Sequence, residues 1–455
     1  MGPMLQDDGS SVTSSSPLQF FSRMSPNLGS PNPWLRELKP EERGLYLIHL
    51  LLSCANHVST GNLDNANLAL EQISHLASPD GDTMQRIAAY FAESLAERVL
   101  KSWPGLFRAL NFTRMPVVSE EILARKLFFE LFPFLKLAFV VTNQSILEAM
   151  EGEKMVHIID LNASEPAQWI ALIQALSARP EGPPHLRITG VHQQKEVLDK
   201  VAHRLTEEAE KLDLPFQFNP VVSKLENLDV EKLRVKTGEA LAISSVLQLH
   251  TLLACDDDSL RKINSLALLN HMNGVGNGNR RSSPSNDSAS SSPTSINAST
   301  KMDGFLASLW GLSPKIMVIT EQDSNHNGFG LMERLSEALY FYAALFDCLE
   351  STASRSSPER RKVEKMLLGE EIKNIIACEG GERRERHEKL DKWMQRLDMV
   401  GFGSIPLSYM GMLQARRLLQ GPNCDGYRIK EENGCVVICW QDRPLFSVSA
   451  WRCRR

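Results

Sequence analysis

The sequence contains few cysteines, and their spacing fits none of the common cysteine-based sites. There are 8 cysteines in 455 residues, and no two of them form a CxxC pair. So few cysteines in so long a chain favour reduced, mostly buried thiols, and a zinc ribbon would need closely spaced pairs. Cys435 and Cys439 lie in a β-rich run at an even spacing, which places both on one face of a strand and favours core packing over metal binding. We therefore predict no metal site.

The chain also lacks an excess of positive charge. Its 50 Lys and Arg residues are balanced by 55 Asp and Glu residues, which gives a formal net charge of −5. Binding to nucleic acid without sequence preference requires a basic face, because the phosphates supply most of the attraction. Direct DNA binding is therefore not expected.

Targeting and catalytic signatures are absent as well. The first residues lack the charged and apolar regions of a secretory signal, and no apolar run approaches the roughly 20 residues of a membrane span. No nucleophile elbow, HExxH motif or P-loop occurs. These absences predict a soluble intracellular protein with no membrane contact and no catalytic residues.

Enough apolar sequence is present for a large core, since hydrophobic residues make up 42% of the chain. Residues 1–33 are rich in Ser, Pro, Gly and Asn, which predicts a disordered tail. Residues 34–455 are predicted to form one domain. Within it, helical periodicity predicts a helical cap over 35–120 and an α/β core over 121–455. A Ser-, Asn- and Gly-rich stretch, 272–303, predicts a flexible insertion in that core.

The α/β core is predicted above all from one stretch, a β-branched run that ends in an acidic residue and precedes a polar loop and an amphipathic helix. The run consists of Val156, His157, Ile158, Ile159 and Asp160, and Trp169 begins the helix. In nucleotide-binding folds, a glycine-rich turn at this position lets the ligand approach the backbone. Residues 161–167 contain no glycine. The stretch therefore predicts a nucleotide-type scaffold that has lost its nucleotide chemistry.

Further β-rich runs alternate with helical runs, and the chain ends in a hairpin. The runs are 186–191, 215–222, 240–247 and 315–320, and the hairpin turns at Asn433-Gly434. Alternation of this kind predicts a parallel sheet, and Asn-Gly between strands is a strong hairpin signal. The predicted fold class is α/β: a Rossmann-like, class I methyltransferase-like, mostly parallel sheet that ends in an antiparallel hairpin, with an N-terminal helical cap. In the hairpin, Trp440 and Trp451 are expected to be buried.

A series of short motifs resembles the plant GRAS family, and most closely its scarecrow-like members. In chain order the motifs are VHIID at 156–160, LRITG at 186–190, LQLH at 247–250, NHN at 325–327, ERHE at 385–388, PLS at 406–408 and SAW at 449–451. The resemblance extends over nearly everything from about residue 44 to the end. The family's usual loop after VHIID carries glycines before a Gln-Trp pair, whereas this chain keeps Gln168 and Trp169 without the glycines.

The resemblance implies a non-enzymatic transcriptional co-regulator that acts in the nucleus, in gibberellin-linked growth and development. The implied partners are other GRAS proteins, including DELLA repressors, and C2H2 zinc-finger transcription factors. The chain could form a homo- or heterodimer, and no cofactor is implied. The alternative hypothesis is an S-adenosylmethionine-dependent small-molecule methyltransferase.

Polar residues at the ends of two predicted strands define a candidate pocket. Asp160 follows the first strand, while Glu321, Asn325 and His326 follow the fifth. If a pocket remains, these residues would line it. The alternative, which we favour, is a polar network that connects the loops. His157 lies mid-strand and is expected to be a hydrogen-bonded core residue.

Two LxxLL runs have the spacing of docking helices that place an apolar face in a partner's groove. In the first, Leu47, Leu50 and Leu51 widen the apolar stripe beyond one packing face, so they are predicted to bind a partner. The second run, 249–253, is expected to pack in the core.

Charged stretches near the end of the chain are predicted to be helical. Residues 356–378 could join the N-terminal helical layer. In 382–393, Arg383, Arg384 and Arg386 alternate with glutamates, which predicts a surface helix with ion pairs rather than a nuclear-import signal.

Overall fold

The computed structural model describes residues 38–111, 118–254, 300–421 and 424–454. Among these residues, nine strands form one sheet in the order β3-β2-β1-β4-β5-β9-β8-β7, and β6 also pairs with β9. The strands are β1 Met155–Asp160, β2 His185–His192, β3 Phe216–Val222, β4 Ala240–Val246, β5 Ile316–Gln322, β6 Phe402–Ile405, β7 Tyr427–Glu432, β8 Cys435–Trp440 and β9 Arg443–Cys453. The predicted tail, 1–33, and residues 272–299 of the predicted insertion lie outside the described residues.

The first five strands are parallel, and β9 runs antiparallel to β5. The carboxyl end of β1 is therefore flanked by the ends of β2 and β4, with Asp160 opposite both Gly190 and Ser244. A parallel sheet with one antiparallel strand next to β5 is the class I methyltransferase-like arrangement, so the predicted fold class is confirmed.

Alternating residues of β1 pack into two separate apolar layers. Val156 and Ile158 belong to the larger core, on the side of the N-terminal helices, whereas Ile159 belongs to a second core on the other face. Because both faces are covered by helices, the strand is apolar on both sides. The covering helices that follow β1 are α7 Ala167–Ser177, α8 Lys195–Lys211 and α9 Lys301–Gly311.

Helices form the described part of the chain before β1. They are α1 Pro40–Ser59, α2 Leu63–Leu76, α3 Thr83–Lys101, α4 Pro104–Asn111, α5 Val118–Leu131 and α6 Phe134–Ala149. The starts of α3 and α2 follow local capping chemistry: Asp82 accepts a hydrogen bond from the Gln85 backbone, and Asn62 accepts one from the Asn65 backbone.

The predicted docking stripe on α1 is buried. Leu47, Leu50 and Leu51 are all in the main core, because α1 packs against α2, α3 and a later helix, α10 Leu331–Thr352. A helix surrounded on several sides needs a wide apolar face, which explains the broad stripe without a partner. The prediction that these leucines are available to a partner is wrong.

The charged stretch 356–378 joins the N-terminal helices, as predicted. It forms α11 Pro358–Val363, a π-helical turn at Glu364–Leu368 and α12 Gly369–Ala377, and α12 packs on α3. Glu364 accepts hydrogen bonds from Arg86 on α3 and from Arg360 on α11 at 2.7 and 2.8 Å, and all three side chains are fully buried. We call these three residues the helical charge cluster.

The predicted helix over 382–393 is wrong for most of its length. Residues 383–389 have no helical structure, and the next helices are α13 Leu390–Val400 and α14 Tyr409–Leu418. Arg383 and Arg386 are buried and donate hydrogen bonds to the carbonyl oxygens of His326 and Gly380. Buried backbone acceptors thus bind these two arginines, although Arg383 also lies 3.9 Å from the Glu379 carboxylate.

The C-terminal hairpin follows its sequence signals. Asn433 and Gly434 both have positive φ, at 52° and 77°, as a tight turn between twisted strands requires. Trp440 and Trp451 are buried, as predicted, and the indole nitrogen of Trp440 donates to Asp347 at 2.7 Å. Of the described helices, none combines the length and the apolar character that a membrane crossing would require.

Candidate functional site

The carboxyl ends of β1, β2 and β4 border a cavity of about 660 Å³. This volume lies in the range of small-molecule sites. Polar side chains on the strand ends, the neighbouring loops and the helices α7 and α12 line one side: Asp160, Asn162, Gln168, His192, Gln248, His250, Glu371, Glu385 and His387. Apolar side chains, mostly from the helices, line the other: Phe128, Phe129, Phe139, Leu367, Leu368 and Phe446. Charged side chains on helices, among them Arg125, Lys126, Lys200 and Arg204, also line the cavity, so its helical wall combines apolar and charged groups.

Asp160 connects the strand end to the helix that follows. Its carboxylate accepts hydrogen bonds from the indole nitrogen of Trp169 at 2.7 Å and from the Asn162 backbone at 3.0 Å. Burial raises the pKa of Asp160 to about 6, although both hydrogen bonds favour the charged form. The carboxylate fixes the loop on α7 while one side of the residue faces the cavity.

Backbone donors of the loop after β1 are already used within the protein. The amides of Leu161 and Ala163 donate to the carbonyl oxygens of Ser244 and Val191 at 2.9 and 3.0 Å. A Cβ atom on Gly190 would lie 2.8 Å from that of Ala163 and 2.7 Å from the Phe218 ring, so the space beside this loop is filled by side chains. The loop therefore offers a ligand no cradle of free amides at these positions.

His157 is a core residue, as predicted. Its Nε2 lies 2.9 Å from Thr189 Oγ1 and its Nδ1 lies 3.0 Å from the guanidinium of Arg187. Burial and the neighbouring Arg187 charge lower the pKa of His157 to about 4, so the ring is neutral. It faces other core groups rather than the cavity.

A second group of polar residues lies where β4 and β5 end. We call it the strand-end cluster, and it comprises His250, Glu321, His326, Glu385 and His387. Glu321 accepts hydrogen bonds from the backbone amides of Gln248 and Leu249 at 3.1 and 2.8 Å, so its carboxylate caps the turn that follows β4. The buried LxxLL run, 249–253, forms this turn, as its predicted core position requires.

His250 lies between two carboxylates. Its Nδ1 donates to Glu321 at 2.7 Å, and its Nε2 donates to Glu385 at 3.1 Å. Burial by itself would lower the pKa of His250, but the two carboxylates raise it to about 10. Burial also lowers the pKa of His387, helped by the positive charge of His250, so His387 is neutral.

Of the four residues predicted to line a pocket, only Asp160 does. Glu321 lies behind His250, and His326 lies behind His387, with 2.9 Å between the two Nδ1 atoms. Asn325 points away and donates to Glu333 at 3.3 Å. Glu321 and His326 instead take part in a polar network that connects the loops, which is the alternative that the sequence analysis favoured.

Sequence reasoning missed the residues that face the cavity, namely His250, Glu371, Glu385 and His387. The LQLH and ERHE motifs marked three of them, but only as family signatures. Glu371 carried no signal, because it belongs to a charged helix. Its burial, together with the charge of Glu385, raises the pKa of Glu371 to about 7, and the Tyr342 hydroxyl donates to it at 2.8 Å.

The sheet order, the strand-end cavity and the covering helices define a methyltransferase-like α/β protein with a helical cap. The crystal structure of SCL7 from Oryza sativa has this fold, with a TM-score of 0.71 at 29% sequence identity over 89% of this chain and 99% of that one. The model of the GRAS domain family matches residues 47–452. The chain belongs to the GRAS domain family.

Two relatives place the chain within that family. Scarecrow-like protein 3 from Arabidopsis thaliana is 67% identical, with 99% of each chain covered. DELLA protein GAI1 from Vitis vinifera is 34% identical over 90% of this chain and 62% of that protein. The resemblance to GRAS proteins of the scarecrow-like group is therefore confirmed, and it indicates a regulatory protein.

Proposed function

We propose that the chain is a non-enzymatic transcriptional co-regulator of the nucleus that acts by binding other proteins, in gibberellin-linked growth and development. Its partners are other GRAS proteins, including DELLA repressors, and C2H2 zinc-finger transcription factors that supply the contact with DNA. The observation that carries this proposal is the 67% identity to Scarecrow-like protein 3 over nearly the full length of both chains.

The geometry of the strand ends supports binding rather than catalysis. The amides of Leu161 and Ala163 are used by neighbouring strands, and β2 ends in His192, where a nucleotide-binding fold would place a carboxylate for the ribose. The net charge of −5 supports recruitment to DNA through a partner rather than through direct phosphate contacts.

The test is recovery of partners from plant nuclei. The tagged chain is expected to co-purify with a DELLA protein and with at least one C2H2 zinc-finger factor, and a fluorescent fusion is expected in the nucleus. Each interaction is then repeated with two purified proteins. If neither partner class binds the chain in the purified assay, the proposal is contradicted. Size-exclusion chromatography would decide separately between a homodimer and a heterodimer.

One observation favours a second function, an S-adenosylmethionine-dependent methyltransferase. The cavity of about 660 Å³ lies at the strand ends, where such a cofactor would bind, and Asp160 faces it. Isothermal titration with S-adenosylmethionine separates the two hypotheses. Micromolar binding together with methyl transfer to a small molecule would establish the methyltransferase. Absence of any heat of binding would exclude this second hypothesis.

A further inference from the structure

Three possible metal ligands converge at the polar side of the cavity. His250, Glu385 and His387 each offer one ligand atom, and these atoms all lie within 4.8 Å of one another. Within the described residues, this is the one place where three such side chains meet. Two of the residues come from the ERHE motif and the third from LQLH, which are far apart in the chain.

The distances between these atoms suit a small divalent ion. Glu385 Oε2 lies 3.1 Å from His250 Nε2 and 3.3 Å from His387 Nε2. Zinc bonds to nitrogen and carboxylate oxygen are about 2.0–2.2 Å long, so tetrahedral ligand atoms lie roughly 3.3–3.5 Å apart. Small side-chain movements would bring the three atoms to that spacing.

Both histidines also have an outer partner at Nδ1, which is a carboxylate for His250 and a second imidazole for His387. The Nδ1 of His250 faces Glu321 at 2.7 Å, which directs Nε2 toward the centre of the site. The Nδ1 of His387 faces Nδ1 of His326 at 2.9 Å, and His326 in turn contacts Ser324. Such second contacts fix the orientation of the ring and raise its basicity as a ligand.

His387 supplies an independent reason to expect a ligand. Its Nε2 is buried and makes no hydrogen bond of good geometry, since its nearest acceptor, Glu385 Oε2, lies 3.3 Å away. Buried polar atoms are rarely left unpaired, because an unpaired polar atom loses the hydrogen bonds that water would make with it. The atom points toward Glu385 and His250, and all three residues line the cavity, so a bound ion would have a fourth position open to it.

We propose that His250, Glu385 and His387 form a binding site for a divalent transition-metal ion of the Zn²⁺ type, with the fourth coordination position facing the cavity. Two histidines and one carboxylate with an open position form a ligand set known for this ion. Binding displaces the Nε2 proton of His250 to water. The ion would connect the turn after β4 to the loop 383–389, which no helix or strand stabilises.

The test begins with wild-type protein stripped of metal by EDTA and dialysed. Titration with Zn²⁺ is expected to show one high-affinity site per chain, and saturation is expected to raise the melting temperature. Co²⁺ is then added in place of Zn²⁺. Its visible absorption is expected to show a low-coordinate ion, without the charge-transfer bands of thiolate ligands, which separates this site from binding to the cysteines.

Single substitutions test whether these side chains bind the ion. His387→Gln is expected to weaken Zn²⁺ binding by at least about tenfold, since second-sphere changes alone cost 10–100-fold. His75→Gln, which changes an exposed histidine on α2, is the matched control and is expected to bind as the wild type does. If His387→Gln does not fold, Glu385→Gln replaces it in the same measurement.

Three results would overturn the proposal. They are no Zn²⁺ binding by the stripped wild-type protein, a Co²⁺ spectrum with thiolate bands, and unchanged affinity in a folded His387→Gln or Glu385→Gln variant. None of these results bears on the proposed co-regulator function, because the partner experiments use different measurements.

Discussion

The helical charge cluster and the strand-end cluster differ in what surrounds them. In the helical charge cluster, both oxygens of Glu364 accept hydrogen bonds from Arg86 and Arg360, and helices enclose all three residues. In the strand-end cluster, His250, Glu385 and His387 border a cavity. The first arrangement can only connect helices. The second can also bind a ligand.

The largest effect is expected in the enclosed cluster. Glu364→Gln leaves Arg86 without a negative partner in a site that water does not reach, while Arg360 keeps only its ion pair with Glu350. Removing one partner from a buried ion pair costs roughly 3–5 kcal/mol of the free energy of unfolding, measured here by urea denaturation. Glu359→Gln, at an exposed position in the preceding turn, is the control and is expected to change stability far less. Equal losses in both variants would mean that the cluster does not clamp the helices.

The same substitution in the strand-end cluster is expected to cost less. Glu321→Gln keeps one oxygen for the Leu249 amide but removes the charge that faces His250. We expect a loss of about 1–3 kcal/mol, because water from the cavity can solvate the His250 ring. A loss as large as that of Glu364→Gln would show that the two clusters are equally closed.

His157, unlike His250, does not have a carboxylate at each ring nitrogen. Its contribution to the free energy of unfolding is therefore expected to depend on pH in a different way. His157 has a pKa of about 4 in the folded protein, against 6.5 for a free histidine. Below pH 6.5 the unfolded chain therefore binds a proton that the folded chain does not, and stability falls as the pH decreases. The free energy of unfolding should fall by roughly 1 kcal/mol more in the wild type than in His157→Gln between pH 7.5 and 5.5.

The control for this difference is His75→Gln, which should keep the pH dependence of the wild type because His75 is exposed. The same pH dependence in His157→Gln and the wild type would contradict a neutral, buried His157.

Local patterns predicted the central elements of the fold. The β-branched run before Asp160 and the Asn433-Gly434 turn each contain their own structural signal within a few residues. The four-residue strand β6 has no such signal, and it forms because β9 offers an edge to pair with. The sequence of α1 predicts a wide apolar stripe, but it does not show how many helices pack around that stripe.

The candidate site was less predictable, because its residues meet only in the folded chain. His250 and Glu385 are hydrogen-bonded across a sequence separation of 135 residues. The alternation of Arg and Glu after residue 382 satisfies helical ion pairing equally well, so the pattern gave no reason to expect buried arginines. Only Asp160, at the end of a recognisable strand, could be placed beside the cavity from sequence.

The π-helical turn at Glu364–Leu368 contributes both to the helical charge cluster and to the cavity wall. This affects how deletion experiments should be interpreted. Glu364 is bound by Arg86 of α3, whereas Leu367 and Leu368 form part of the cavity wall. A truncated chain that begins after α3 would lose the anchor of that turn together with the outer surface of the first helices. Loss of partner binding in such a truncation would report on a damaged cavity wall as much as on a missing interface. Single substitutions of exposed residues on α1 to α4 separate the two effects.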